Sequence, residues 1–264
     1  MNIAIVTGAS SGMGKKFAVA LDNLDKYVKK NKAEKFDEIW VIARRKDRLE
    51  ELKNEIKCNV RVLAYDLTKQ ESIEELKEIL ANEKPNIRFL VNASGFGKFA
   101  KSTDVTMQDQ IDMVDLNIKA MMLMTDICLP YMSRGSNVIE ISSQSAWQPI
   151  PYINVYAATK AFVLHYSRAL NRELKKDGIH VLAVCPFWTK TEFFNHAVNE
   201  KNKVIKKYVC LYEPQSIVER AIKDSFTKKD FSLYGFTSKL NVLLAKIIPH
   251  KIVMWVWMKQ QKIK

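Results

Sequence analysis

Tyr156 and Lys160 stand four residues apart in the stretch YAATK, whose composition favours a helix that puts both side chains on one face, one turn apart. A phenol with its ordinary pKa of about 10 is a poor acid or base at neutral pH. A neighbouring ammonium favours the phenolate and moves the group toward a working range. Ser143, just beyond the apolar run Asn137 to Ile141, carries a hydroxyl able to donate to a carbonyl oxygen as negative charge grows on it. Each feature alone reads as an ordinary helix-surface pair or a turn serine. Their meaning depends on what else the chain brings to the same place.

The stretch TGASSGMGKK, residues 7 to 16, follows the apolar run Ile3 to Val6. A loop of the ATP type needs Ser or Thr after its Gly-Lys, to hold magnesium, and a glycine five residues before its second one. Here Lys16 follows Gly14-Lys15 and Ala9 stands where the first glycine should be. A dinucleotide loop needs a strand, a tight glycine turn and a helix start whose free N–H groups face a pyrophosphate. Gly8, Gly12 and Gly14, spaced T-G-x-x-x-G-x-G with Ser10, Ser11 and Met13 between them, meet that need. The second apolar run ends in Ala43-Arg44-Arg45, without the acidic residue that binds the ribose hydroxyls of NAD. Arginine suits the additional 2′-phosphate, so NADP(H) is preferred over NAD(H), the alternative being that Arg44 and Arg45 are solvated surface charges.

These residues must be held by regularly alternating elements. Strands are expected at Ile3 to Val6, Ile39 to Ala43, Val60 to Tyr65, Ile87 to Val91, Asn137 to Ile141 and Ile179 to Val184, with helices such as Asp47 to Ile56 and Glu71 to Glu83 between them. Alternation of this kind predicts an α/β fold, a Rossmann-type doubly wound parallel sheet whose ligands bind at the carboxyl ends of the strands. Residues 1–238 are expected to form one dinucleotide-binding and catalytic domain, and residues 239–264 an apolar and basic helical extension. Asp22 to Asp37 reads as a lysine-rich continuation of the first helix, with no functional reading of its own.

With 264 residues and 47% hydrophobic content, the chain can bury a core of single-domain size. A first strand at the very start predicts no signal or transit peptide. Cys58, Cys128, Cys185 and Cys210 form no C-x-x-C pair and sit in apolar surroundings, which predicts buried thiols and a reducing cytoplasm. His165, His180, His196 and His250 show no metal-ligand spacing, so no metal is expected. The formal net charge of +13 is spread along the chain, with concentrations at Lys29-Lys30, Lys201 to Lys207 and Lys259 to Lys264, and no aromatic-interleaved RNA motif accompanies it. A lysine-rich surface that attracts anionic cofactors is expected, and no nucleic-acid partner.

Taken in order, Thr7 to Gly14, Asp66, Asn92-Ala93-Ser94-Gly95, Asn117, Ser143, Tyr156, Lys160 and the Pro186 to Thr191 turn resemble the short-chain dehydrogenase/reductase family up to about Tyr234. The resemblance implies an NADP(H)-dependent oxidoreductase of the carbonyl reductase or hydroxysteroid dehydrogenase kind. Asn117, Ser143, Tyr156 and Lys160 would form its catalytic tetrad. Tyr156 would carry the proton, Ser143 polarise the carbonyl, Lys160 bind the nicotinamide ribose and lower the tyrosine pKa, and Asn117 hold a water in the proton relay. Asp66 and Leu67 would border the adenine, Asn92, Ala93 and Ser94 would lie beside the cofactor, and Pro186, Thr189 and Thr191 would flank the nicotinamide. A homo-dimer or homo-tetramer is implied as well. Three departures stand out: Ala93-Ser94 replaces the middle pair of N-N-A-G, Phe187 replaces glycine after Pro186, and Ser11 replaces the basic residue of many NADP-using relatives. A protein that only senses or scaffolds around the nucleotide would have no use for an acid/base tyrosine.

The substrate pocket is expected from Ser143, Gln144, Ser145, Trp147, Ile150, Tyr152, Ile153, Tyr156, Phe187, Trp188, Phe193 and Phe194, with Phe96 from the loop after the fourth strand. Its apolar, aromatic character predicts a small hydrophobic ketone or aldehyde, or the matching alcohol: steroid, lipid-derived or aromatic. Leu240 to Met258 is interrupted by Lys246, Pro249, His250 and Lys251, so it does not span a membrane. Two amphipathic helices broken at Pro249 are expected, able to cover the pocket entrance, meet another subunit or touch a membrane peripherally.

Overall fold

The computed structural model describes residues 1–27, 35–197, 204–208 and 210–263. Lys29-Lys30 and part of the Lys201 to Lys207 concentration lie outside them. Among the described residues, seven parallel strands form one sheet in the order β3-β2-β1-β4-β5-β6-β7. They are β1 (Asn2–Thr7), β2 (Glu38–Ile42), β3 (Asn59–Leu63), β4 (Asn86–Asn92), β5 (Met132–Ile141), β6 (His180–Val184) and β7 (Phe231–Ser232). Strand β7 spans two residues and is too short to leave a hydropathy pattern. The helices of the sheet's two faces are α1 (Gly12–Leu21), α2 (Lys46–Lys53), α3 (Gln70–Glu83), α4 (Met107–Val114), α5 (Met121–Cys128), α6 (Asn154–Glu173), a short α7 (Phe193–Ala197) and α8 (Pro214–Phe226). The chain then forms α9 (Phe236–Ile247) and α10 (His250–Gln260), broken at Pro249 as expected.

Strands β1 to β6 each feed two cores because successive side chains point to opposite faces. Ala4 and Val6 of β1 pack with Phe17 and Leu21 of α1 and with Val218 and Ile222 of α8. Ile3 and Ile5, one residue out of phase, pack with Leu76 and Leu80 of α3 and Met124 of α5. The strand order reverses on either side of β1 and β4, and the crevice at their carboxyl ends is where such sheets bind ligands.

Two expectations are corrected. The first helix does not continue through Asp22: it stops at Leu21, and a 3-10 turn follows at Leu24–Lys26. There the Asp22 carboxylate accepts the backbone N–H groups of Lys57 and Cys58, each at 3.0 Å, while Asn23 donates back to the carbonyl of Val19 at 2.9 Å. These side-chain bonds end the helix in the way polar caps do. Cys128 and Cys185 are buried, but Cys58 is only partly so and Cys210 is exposed, at a backbone φ of 56°. Local apolar neighbours in sequence did not carry Cys210 into the core.

Candidate active site

The glycine loop leaves β1 and enters α1. Gly8 has φ +65°, and a Cβ there would stand 2.7 Å from the carbonyl oxygen of Ala93; a Cβ on Gly14 would strike the backbone of Gly8. Only glycine permits this approach of the loop to the end of β4. Thr7 Oγ1 locks the two ends together by accepting the N–H groups of Ala93 and Ser94, both at 3.1 Å. The first turn of α1 has neither a side-chain cap nor an acidic residue, so its N–H groups and dipole are directed at a space suited to an anion.

That space belongs to a cavity of about 990 Å³ lined by Gly8, Ser10, Ser11, Gly12, Met13, Gly14, Arg44, Arg45, Asp66, Leu67, Ala93, Ser94, Pro186, Thr189 and Thr191. A narrow glycine cradle, an uncapped helix start and two arginines fit a nicotinamide dinucleotide. Asn92 is not at the wall: it is buried behind it, where its amide donates to Thr125 at 3.1 Å and to Glu140 at 2.9 Å. Arg45 crosses the loop mouth and donates to Ser10 and Ser11, with N–O distances of 3.0 and 2.9 Å from Nη2. It also pairs with Glu192 at 3.0 Å, and Arg48 takes the other oxygen of the same carboxylate. The two guanidinium groups hold Glu192 below the usual carboxylate range. Arg48 and Glu192 were not anticipated from the sequence, because the pairing joins a helix start to a segment more than 140 residues away.

At the other end of the cavity, α6 presents Tyr156 and Lys160 to the end of β5. Lys160 is buried and donates from Nζ to the carbonyl of Ile141 at 2.7 Å, while Ser142 Oγ donates to the carbonyl of Lys160 at 2.8 Å. The Lys160 ammonium lies 5.7 Å from the centre of the Tyr156 ring. Burial pushes the Tyr156 phenol up to about 12, with a hydrogen bond from Ser143 pulling it the other way. Burial draws Lys160 down to about 8, opposed by the charge of Glu140. Loss of hydration is the largest influence on the tyrosine in the protein's own electrostatics. Glu140, buried on β5 and overlooked in the sequence, is pushed up to about 7 by its burial, against hydrogen bonds from Asn92 and Thr125.

Asn117 sits in a π turn, Asp115–Ala120, between α4 and α5, a helical irregularity that recurs at functional sites. Its amide donates to the carbonyl of Phe96 at 2.9 Å and to Thr159 at 3.1 Å, and its Oδ1 accepts the N–H of Phe96 at 3.0 Å. The side chain thus braces the loop after β4 against α6, and it is not part of the cavity wall.

Beyond Tyr156 the wall is formed by Phe96, Ser143, Gln144, Ser145, Trp147, Ile150, Ile153, Phe187, Trp188, Phe193 and Phe194. Tyr152, expected there, is not among the lining residues; it occupies a turn at φ 70°. Phe99 was missed: it is buried against Tyr156 and Phe193, with ring centres 5.7 and 5.9 Å away. Trp257 of α10 stacks on Trp188 at 6.3 Å and donates to the carbonyl of Pro151 at 3.1 Å, so the tail closes one side of the cavity.

The sequence pattern of the family described as short chain dehydrogenase matches residues 2–202. An uncharacterised oxidoreductase of Staphylococcus epidermidis is 28% identical over 186 residues, covering 70% of this chain and 76% of its own. The human very-long-chain 3-oxoacyl-CoA reductase is 28% identical over 271 residues, covering 97% of this chain and 77% of its own. Among solved structures, a short-chain dehydrogenase from Sphingobium yanoikuyae in complex with NADPH superposes with a TM-score of 0.75 at 23% identity, covering 94% of this chain and 97% of its own.

Proposed function

The chain belongs to the short-chain dehydrogenase/reductase family, NAD(P)-dependent oxidoreductases of CH–OH and C=O groups, and on that premise we infer that it is an NADP(H)-dependent reductase of a hydrophobic ketone or aldehyde. The observation that carries this reading is the continuity of one cavity from the arginine-flanked glycine loop, past Tyr156, Lys160 and Ser143, into an aromatic chamber.

Gly8 to Gly14 and the start of α1 would hold the pyrophosphate, Arg44 and Arg45 the 2′-phosphate, Asp66 and Leu67 the adenine side, and Lys160 the ribose next to the nicotinamide. The nicotinamide, when bound, supplies or accepts the hydride. The Tyr156 phenol, protonated throughout the neutral range with its pKa pushed up to about 12, gives its proton to the carbonyl oxygen. Ser143 donates a hydrogen bond to that same oxygen and favours the build-up of charge on it. Phe99 and Phe193 flank the tyrosine and keep bulk water from its ring. In the oxidative direction Tyr156 must first lose its proton, so alcohol oxidation rises with pH while carbonyl reduction is sustained at neutral pH.

The chamber has the apolar lining expected for a long or polycyclic substrate, and the human relative named above carries a very-long-chain 3-oxoacyl substrate in its name. The test is loss of NADPH absorbance, with NADH in parallel, across steroid ketones, long-chain and aromatic aldehydes and 3-oxoacyl thioesters. Faster turnover with NADPH and with the apolar carbonyls is expected. Preference for NADH, or for small charged oxo-acids, would refute the assignment.

A further inference from the structure

Helix α9 is apolar on two faces. Ser238, Val242 and Ala245 point inward and are buried. Phe236, Leu240, Leu243 and Ile247 recur at helical spacing on the outside and remain exposed, Phe236 at 79% and Ile247 at 71%. On α10, Ile252 and Trp255 are exposed too, Trp255 at 57%. The two outer faces meet at the cavity: Leu244 of α9 and Val256 of α10 are both exposed and part of its wall.

Charge decides what could cover this surface. Residues 236–264 contain six lysines and no Asp or Glu. Lys239, Lys246, Lys251, Lys259 and Lys262 are exposed, and the Lys259 ammonium stands 4.5 Å over the Trp255 ring. A second copy of the same face would bring lysines against lysines, which disfavours self-pairing. Among the described residues no helix is long and apolar enough to cross a membrane. Exposed apolar rows, tryptophan and a purely cationic rim are the composition of helices that lie in the interface of an anionic bilayer.

We propose that α9 and α10 seat the protein on an anionic lipid surface, with the cavity mouth facing the bilayer so that an apolar substrate enters from the lipid. The entry route rests on the reductase reading above; the docking surface does not.

The full chain is floated with phosphatidylcholine vesicles and with vesicles rich in phosphatidylglycerol. It should rise with the anionic vesicles at least about tenfold more strongly than with the neutral ones, and salt should weaken the difference. The double variant Ile247→Glu, Trp255→Glu alters two side chains outside the cavity wall and should abolish flotation while keeping turnover of a water-soluble carbonyl. Lys239→Glu with Lys251→Glu, which leaves the apolar rows intact, should remove the preference for anionic lipid. Failure of the native chain to float, or flotation of the apolar double variant at the native level, overturns the proposal. So does a native dimer that the same variant turns into a monomer, since the face would then belong to a second copy. Turnover in each preparation separates the two readings: active protein that does not float refutes docking alone, and inactive protein that floats refutes the reductase alone.

Discussion

Beneath the cavity, burial sets the protonation of Glu140, Lys160 and Tyr156 before any ligand arrives. Glu140 titrates near 4.5 in an unfolded chain and at about 7 in the folded one, so the folded state binds more protons between those values. Stability must therefore fall as pH rises from about 4.5 to about 7. Glu140→Gln should flatten that slope, on the order of 2 kcal/mol, in denaturation profiles recorded across the range. An unchanged slope would show that folding does not raise the Glu140 pKa. Beside the glycine loop, Glu192 occupies the Arg45 guanidinium that a 2′-phosphate would need, together with that of Arg48. Glu192→Gln should tighten NADPH binding severalfold and leave NADH unaffected, as read by quenching of protein fluorescence; the effect is modest because the pair is partly exposed and screened. Tyr156 and Lys160 were legible in the sequence because a helical spacing of four puts them on one face and the glycine loop occurs in the same chain. Glu140 and Glu192 were not, since their partners arrive from other elements: Asn92 and Thr125 for one, Arg45 and Arg48 for the other.

The strands and crossover helices were readable because two cores impose long apolar runs on the strands and a 3.6-residue period on the helices. What escaped was set by side chains acting across elements. Asp22 ends α1 by capturing the backbone at Lys57 and Cys58. The tail shows the same dependence. Gln261, almost wholly buried just beyond α10, accepts the N–H groups of Lys206 and Lys207 at 2.9 and 3.1 Å and donates to the carbonyl of Lys207 at 3.1 Å. Gln261→Ala leaves those backbone groups without their partner and should cost about 2 kcal/mol in urea denaturation. Faster hydrogen exchange in α10 and at Lys206 and Lys207 should accompany the loss; native exchange rates would mean that the clamp does not hold the tail.

For the molecule as a whole, one sheet with helices on both faces puts the cavity at the carboxyl ends of β1, β4 and β5. The C-terminal helices finish the apolar end of that place, and their cationic, exposed side adds to the net charge of +13. The central claim is that Tyr156 passes the proton to a carbonyl while the rest of the cavity holds nucleotide and substrate. Single-turnover stopped-flow of Tyr156→Phe, pre-loaded with NADPH and mixed with the best apolar ketone, tests it directly. NADPH should bind as in the native protein and its oxidation should slow by at least about a hundredfold. Oxidation at the native rate would contradict the assignment of Tyr156 as the acid.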